Sequence, residues 1–195
     1  MKSLRFVLSS VLMSLATVAF AQSGHKMAEP KAPAAKSEAQ TSFDAMKTLA
    51  GDWEGPVTTD MPEAAKADIK PLHVSMRVTS RGNVLVHEFQ EAGTPLDPEK
   101  YDHPVTMLYV DVDADRLTLV HYCDAGNRPR MTGKISPDGK TVEFDFADLS
   151  GGNKYGHMYH SVFTIIDANH HTEDWTYMLP GDKPVHARVD LQRTK

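Results

Sequence analysis

The sequence predicts an all-β protein, an antiparallel up-and-down β-barrel of about ten strands with a short N-terminal helix. Two observations lead to this prediction. From residue 52 onward, short segments alternate between apolar and polar residues, which is the pattern of half-buried strands. Turn sequences such as Arg81-Gly82-Asn83 and Ser136-Pro137-Asp138-Gly139 separate these segments. Closure into a barrel would remove the exposed sheet edges, and a β-sandwich is the alternative that the pattern leaves open.

The overall composition is that of an ordinary globular domain and excludes several classes of protein. The chain has 195 residues, of which 41% are hydrophobic and 24% are charged. The net charge of -5 and the lack of a basic run argue against nucleic acid as a partner. Cys123 is the single cysteine, so an intramolecular disulfide and a multi-cysteine metal site are excluded. The sequence does not indicate the oligomeric state.

Residues 1–21 have the features of a signal peptide. Lys2 and Arg5 precede an apolar run, and Ala19-Phe20-Ala21 fits a small-x-small cleavage site. The run is interrupted by Ser and Thr and is shorter than the ~20 residues of a comfortable membrane span. We therefore expect a periplasmic or secreted protein without a membrane span after cleavage. Loss of the two basic residues would change the net charge from -5 to -7.

The rest of the chain divides into a linker and one domain. Residues 22–42 are rich in Ala, Pro, Lys, Glu and Ser, which predicts a disordered linker. The barrel domain is predicted over residues 43–195. Its first element is a helix, because Phe43, Met46 and Leu49 have helical spacing and Gly51 follows. A second short helical turn is predicted between residues 60 and 70.

The predicted strands follow that helix in order. Each is bounded by a turn sequence or by a loss of alternation, with boundaries uncertain by a few residues. The segments are 52–58, 72–80, 83–91, 104–112, 115–123, 128–136, 140–147, 157–167, 170–179 and 184–193.

A short motif at the first strand resembles a known superfamily. Gly51-Asp52-Trp53-Glu54-Gly55 has the form Gly-x-Trp-x-Gly and follows the predicted helix, and Arg193 stands in the last strand. This order resembles the calycin superfamily of lipocalins, fatty-acid-binding proteins and nitrobindin-like haem barrels, and uncharacterised secreted bacterial proteins of this type. The resemblance implies that Trp53 closes one barrel end, with Arg193 packed over it by a cation–π contact. It implies a fold but no established activity.

The nitrobindin-like branch supplies an alternative function, which is haem binding. Its haem histidine lies in the last strand, so the resemblance implies His186 as the haem ligand here. Strand alternation, however, places His186 on the same face as Arg188 and Asp190, opposite Val189 and Leu191. Such a polar face is typical of the outside of a barrel.

The densest group of chemically reactive residues surrounds the predicted strand 115–123. His121 and Cys123 share a face with Leu117 and Leu119, so both would point toward the barrel mouth. We expect a site at one barrel end that binds an anionic ligand or a metal, with Arg130 as the partner of a carboxylate. The candidate ligand-binding residues are His87, His121, Cys123, Asn127, Arg130, His157 and His160. In the alternative interpretation these residues are ordinary core, loop and surface groups. We expect His170 and His171 to be turn residues.

The sequence therefore predicts an exported small-molecule-binding barrel whose ligand is not identified. A binding protein is favoured over an enzyme, because nucleophilic catalysis by Cys123 would need a base such as His157 and spacing does not establish that contact. Zinc held by His121, Cys123 and a later histidine is a weaker hypothesis, since no metal-binding spacing is present. Two further hypotheses are the haem protein and a filled barrel that serves protein interaction.

Overall fold

The computed structural model describes residues 35–195. These residues form a closed antiparallel β-barrel of ten strands with a helix at one end. The predicted fold class is confirmed, and closure of the sheet excludes the sandwich. The signal peptide and residues 22–34 of the predicted linker lie outside the described residues, so those predictions stay open. Within residues 35–195, no helix is long and apolar enough to cross a membrane.

The strands follow one another around the barrel in chain order. The first barrel strand has two segments, which Pro56 separates, so eleven segments form ten strands. The elements are α1 (Glu38–Lys47), β1 (Gly51–Gly55), β2 (Val57–Thr59), α2 (Glu63–Lys66), β3 (Leu72–Thr79), β4 (Val84–Glu91), β5 (Val105–Asp111), β6 (Arg116–Tyr122), β7 (Arg128–Ile135), β8 (Thr141–Ser150), β9 (His157–Asp167), β10 (His170–Leu179) and β11 (Lys183–Arg193).

The barrel closes between the first and last strands, and this closure is incomplete at one end. β1 pairs with β3 and with the end of β11, whereas β2 pairs with β11 and not with β3. The chain between β2 and β3, which includes α2, therefore spans a gap in the wall. We call this end of the barrel the open end. The connections β4–β5, β6–β7, β8–β9 and β10–β11 lie at the same end.

The closed end is covered by α1 and by a stacked pair of side chains. The guanidinium of Arg193 lies 4.0 Å from the centre of the Trp53 ring. It also donates hydrogen bonds to the carbonyl oxygens of Ala50 and Thr48, while the Trp53 indole N–H donates to the Leu49 carbonyl at 2.8 Å. Trp53 is fully buried. These contacts join the chain after α1 to the last strand.

The helix α1 begins five residues before the predicted start, at Glu38 instead of residue 43. Ser37 caps it by accepting a hydrogen bond from the Gln40 N–H at 3.1 Å. Ala39 and Ser42 are buried on its inner face, and such small side chains give little amphipathic signal. Residues 38–42 of the predicted linker are therefore part of the folded domain.

Gly55 is required where the first strand passes close to β11. A Cβ atom at this position would lie 1.7 Å from the Asp190 carbonyl oxygen. We expect Gly55→Ala to lower the free energy of unfolding by about 1–3 kcal/mol, because the two backbones must separate. Urea denaturation checks this, with Gly152→Ala as the control, since a Cβ there meets nothing within 4 Å. Equal stability of the two variants would contradict the close packing of the strands.

Candidate functional site

A carboxylate is buried inside the barrel and accepts hydrogen bonds from three aromatic side chains. Glu173 on β10 is 1% exposed. Its Oε1 lies 3.1 Å from Nε2 of His87 and 3.1 Å from Nε2 of His171, and its Oε2 accepts the Trp175 indole N–H at 2.9 Å. Because an ionised carboxylate is only an acceptor, both imidazole Nε2 atoms donate to it. We call these four residues the buried cluster.

The electrostatics of the buried cluster favour the ionised carboxylate. Burial by itself would raise the pKa of Glu173, but the charge of His87 and the hydrogen bonds from His171 and His87 outweigh it. The pKa of Glu173 is therefore held well below its usual range. The Nδ1 atoms of His87 and His171 are buried and have no hydrogen-bond partner within residues 35–195.

His121 extends the polar interior toward the open end. It lies near the end of β6 and is 1% exposed, with its Nδ1 atom 2.9 Å from the Thr106 hydroxyl. The rings of Phe89 and Trp175 pack beside it, at 6.2 and 6.1 Å between centres. Burial, and after it the charge of His87, lowers the pKa of His121 to about 4. His121 is therefore neutral at pH 7.

A small apolar cavity borders the buried cluster on the side of the open end. Its volume is about 90 Å³, and among residues 35–195 Glu173 is the one charged residue of its lining. Trp175 and the side chains of seven apolar residues complete the lining. The seven apolar residues are Val57, Leu72, Val74, Phe89, Met158, Ala187 and Val189. We call this cavity the inner cavity.

A larger cavity, of about 340 Å³, lies at the gap between β2 and β3, and we call it the mouth cavity. Residues from the α2 region, among them Met61 and Ile69, form one side, and Tyr177 forms part of the other. It shares five lining residues with the inner cavity, and these are Val57, Leu72, Met158, Trp175 and Ala187. The two cavities therefore lie on either side of the same side chains.

A register shift in β9 accounts for one of these shared residues. Tyr177 pairs with Met158, but its neighbour Thr176 pairs with His160, so Tyr159 is the extra residue of a β-bulge. Without the extra residue, alternation from Phe163 and Ser161 would place Tyr159 on the inner face. The bulge directs Met158 to the cavities.

A third cavity, of about 510 Å³, lies beneath the β4–β5 connection. Leu72 and Phe89 line both this cavity and the inner cavity, so their side chains separate the two spaces. His103 also lines it, and its Nε2 atom is buried without a hydrogen-bond partner within residues 35–195.

The structure places two of the predicted site residues, His87 and His121, in the barrel interior, and two more at the open end. Cys123 is half-buried just after β6, and burial raises the pKa of its thiol, which disfavours the reactive thiolate. Asn127 is buried and donates to the carbonyl oxygens of Gly152 and Gly156, at 3.0 and 2.7 Å. It thus joins two loops of the open end.

The remaining three predicted ligand-binding residues lie away from the buried cluster. Arg130 points outward from β7 and pairs with Asp148 at 2.9 Å, so it is not available as the expected carboxylate partner inside the barrel. His157 packs against the ring of Phe146, 4.8 Å between centres, and its Nδ1 atom is 3.1 Å from the Asn153 side-chain oxygen. The expected convergence of all these side chains at one end does not occur.

His160 is the third of these residues, and it belongs to a group of possible metal ligands on the outside of the barrel. Donor atoms of Glu143, Asp145 and His160 lie within 4.8 Å of one another. Both His160 ring nitrogens face carboxylates, Nδ1 at 3.2 Å from Asp145 and Nε2 at 3.7 Å from Glu143, so contacts between these side chains account for the arrangement. Across residues 35–195, His121 and Cys123 are not part of a comparable group of three donors.

The haem alternative depends on His186, which lies on the outer face of β11. Its side chain is 58% exposed, and its Nδ1 atom is 3.0 Å from the Thr176 hydroxyl. It lines an outer groove together with the charged residues Asp60, Asp174 and Arg188. These surroundings do not fit haem enclosed in a barrel.

Two central residues of the site, Glu173 and His171, are not among the candidates that the sequence predicts. His171 is expected in a turn, but it is fully buried in β10, and its ring packs edge-on against Trp53 at 4.2 Å between centres. Strand alternation is the signal that could have found both, because His171, Glu173, Trp175 and Tyr177 share one face. A glutamate on a face with aromatic residues indicates a buried, partnered carboxylate.

Comparisons with known proteins support the fold and go no further. No protein-family model and no curated protein matches the chain. Among solved structures, the crystal structure of Rv2717c from M. tuberculosis is similar with a TM-score of 0.55 at 16% identity, covering 79% of this chain and 98% of that chain. A protein of unknown function of the DUF3598 family from Nostoc punctiforme PCC 73102 gives a TM-score of 0.40 at 14% identity, covering 76% of this chain and 48% of that chain. The similarity to Rv2717c shows that the two proteins share a fold, and it shows no more than that.

Proposed function

We propose that this chain is an exported, calycin-like barrel protein that binds a small, mainly apolar molecule at its open end. The observation that carries the proposal is the pair of cavities at the gap between β2 and β3. The mouth cavity, at about 340 Å³, is in the size range of ligand pockets, roughly 300–1,000 Å³. The inner cavity, at about 90 Å³, would hold one apolar end of such a molecule.

The buried cluster has a positioning role in this proposal. Trp175 lines both cavities, and its indole N–H donates to Glu173, which His87 and His171 hold in turn. The cluster therefore fixes the orientation of the ring that forms the cavity wall. Met158, on the neighbouring strand β9, also lines both cavities, and its flexible side chain can adapt to the shape of a ligand.

The calycin-like and exported parts of the proposal depend on separate observations. Support for the superfamily comes from the ten-strand closed barrel, the helix at the closed end and the Arg193 guanidinium over Trp53. Support for export comes from the signal-peptide features of residues 1–21. Detection of the mature chain in the periplasm or the culture medium tests export, and retention of the full chain in the cytosol would contradict it.

The binding proposal is tested with a neutral fluorescent probe, N-phenyl-1-naphthylamine, titrated into the purified mature protein. We expect a saturable rise in fluorescence and, in the variant Ala187→Trp, a loss of affinity of about tenfold or more, about 1.4 kcal/mol. The reason is that Ala187 lines both cavities and an indole there would occupy the space of the ligand.

The matched control is Ala147→Trp, which places the same side chain at an exposed position of β8. This variant should bind the probe like the wild-type protein, and thermal unfolding verifies that both variants are folded. Absence of probe binding by the wild-type protein would favour the filled-barrel interaction protein. An equal loss in both tryptophan variants would show that the probe binds elsewhere.

A further inference from the structure

Most of the charged residues that line the two cavities within the described domain are acidic. Among residues 35–195, the charged residues that line the inner and mouth cavities are Asp68, Lys70, Glu91 and Glu173. From this distribution we infer that the ligand is an apolar molecule that carries a positive charge, of the alkylammonium or arylammonium class. The inference rests on the proposed function and names the ligand class for that same site.

The one basic residue of the mouth cavity within the described domain is already paired. Lys70 Nζ lies 2.8 Å from a carboxylate oxygen of Glu91. Its hydrogen bond to Glu91 is the largest cause of a raised Lys70 pKa, and the charge of Asp68 adds to it. An anionic ligand group would have to displace Glu91 and would face Asp68 as well. A cationic ligand group would instead give the two carboxylates, Asp68 and Glu91, a second positive charge besides Lys70.

No arginine of the described domain lines the inner cavity or the mouth cavity. Arg130 is paired with Asp148 outside the barrel, Arg188 is paired with Asp174 on the outer face, and Arg193 covers the closed end. A fatty-acid carboxylate would therefore lose its hydration without a fixed cationic partner, which costs several kcal/mol per unpaired ion.

Glu173 lines the inner cavity and accepts the hydrogen bonds of three neighbouring side chains. The imidazoles of His87 and His171 and the indole N–H of Trp175 all direct their hydrogens to its carboxylate. These donors are not available to a ligand anion. The carboxylate at the edge of the Trp175 ring also adds negative potential on the cavity side.

The aromatic side chains of the cavity walls suit a cation. Trp175 and Tyr177 line the mouth cavity, and the faces of such rings attract ammonium groups. Burial, and after it the charges of Cys123, Asp124 and Asp102, raises the pKa of the Tyr177 hydroxyl. The acidic groups at the open end thus act on the same wall as the aromatic rings.

The test compares three probes with the same twelve-carbon chain and different heads, each displacing N-phenyl-1-naphthylamine from the mature protein below the micelle concentration. The probes are dodecyltrimethylammonium, dodecanol and laurate. We expect the cation to bind most tightly and laurate to bind about tenfold or more weakly, with the difference reduced at high salt. Asp68→Asn should weaken binding of the cation several-fold and leave binding of the alcohol unchanged.

The control variant is Asp148→Asn, which removes an acidic group of the outer face and should leave all three affinities unchanged. Laurate binding as tightly as the cation, or alcohol and cation binding equally, would overturn the inference about charge while the binding function would stand. If neither N-phenyl-1-naphthylamine nor any of the three probes binds, the proposed function itself fails. An equal effect of Asp68→Asn and Asp148→Asn would show that net charge, and not the cavity, sets the preference.

Discussion

Replacement of Glu173 by alanine is expected to lower the free energy of unfolding by about 3–5 kcal/mol. Glu173 is 1% exposed and accepts hydrogen bonds from His87, His171 and Trp175. Its removal would leave three buried donors without a partner. Guanidinium denaturation measures the loss. Glu143→Ala, on the outer face of β8, serves as the control and should change stability by no more than about 0.5 kcal/mol.

A second variant separates the structural and functional roles of the buried cluster. Replacing His87, His171 and Glu173 together by leucine removes the donors with the acceptor, and buried ionic groups replaced in this way often leave stability unchanged or raise it by about 1–4 kcal/mol. We expect this triple variant to be folded but to bind N-phenyl-1-naphthylamine more weakly, because Trp175 loses its fixed orientation. Unchanged unfolding of Glu173→Ala would contradict the importance of these hydrogen bonds.

Acid is expected to destabilise the barrel through His121 before most carboxylates are protonated. The pKa of His121 falls from 6.5 to about 4 on folding, so the unfolded chain takes up the proton first. This contribution to stability is complete above about pH 6.5 and is lost as the pH falls to about 4, in total about 3 kcal/mol. Glu173, whose pKa is lowered in the folded state, adds a further loss as the pH falls below the ordinary range of a glutamate.

The measurement is the free energy of unfolding from pH 8 to pH 4 for the wild-type protein and for His121→Gln. The variant keeps a polar group near Thr106 but removes the titration, so its curve should be flatter by about 3 kcal/mol between pH 6.5 and pH 4. His186→Gln, at an exposed position, is the matched control and should retain the slope. Parallel curves for His121→Gln and the wild-type protein would contradict a neutral, buried His121.

Local patterns predict the strands well where alternation and turn chemistry agree. The segments predicted at 157–167 and 170–179 coincide with β9 and β10, because Asp167-Ala168-Asn169 separates two runs of clear alternation. The predicted start of α1 is wrong because Ala39 and Ser42, which are buried on the helix, are too small to mark an apolar face. Boundaries of this kind depend on packing against neighbouring elements.

The candidate site is predictable in part. His87 lies between Leu85 and Phe89 in alternation, and His121 follows Leu119, so the residues themselves place both histidines inside. Glu173 escapes prediction because a carboxylate is usually exposed, and its partner His87 is 86 residues away on a strand across the barrel. Arg130 alternates with Pro129 and Met131, which are buried, so its outward direction could have been predicted from the same rule.

The sequence by itself predicted the class of this protein, a β-barrel of about ten strands with histidines in its interior. These features arise from local periodicity and turn residues, which each segment carries alone. The tertiary structure decided where the wall opens and which charges surround the opening. β2 pairs with β11 and not with β3, which opens the wall. Asp68, Glu91 and Glu173, from distant parts of the chain, line the cavities at this opening. An electrostatic potential is the sum over all these groups in space, so its sign follows from the closed barrel and not from any one segment.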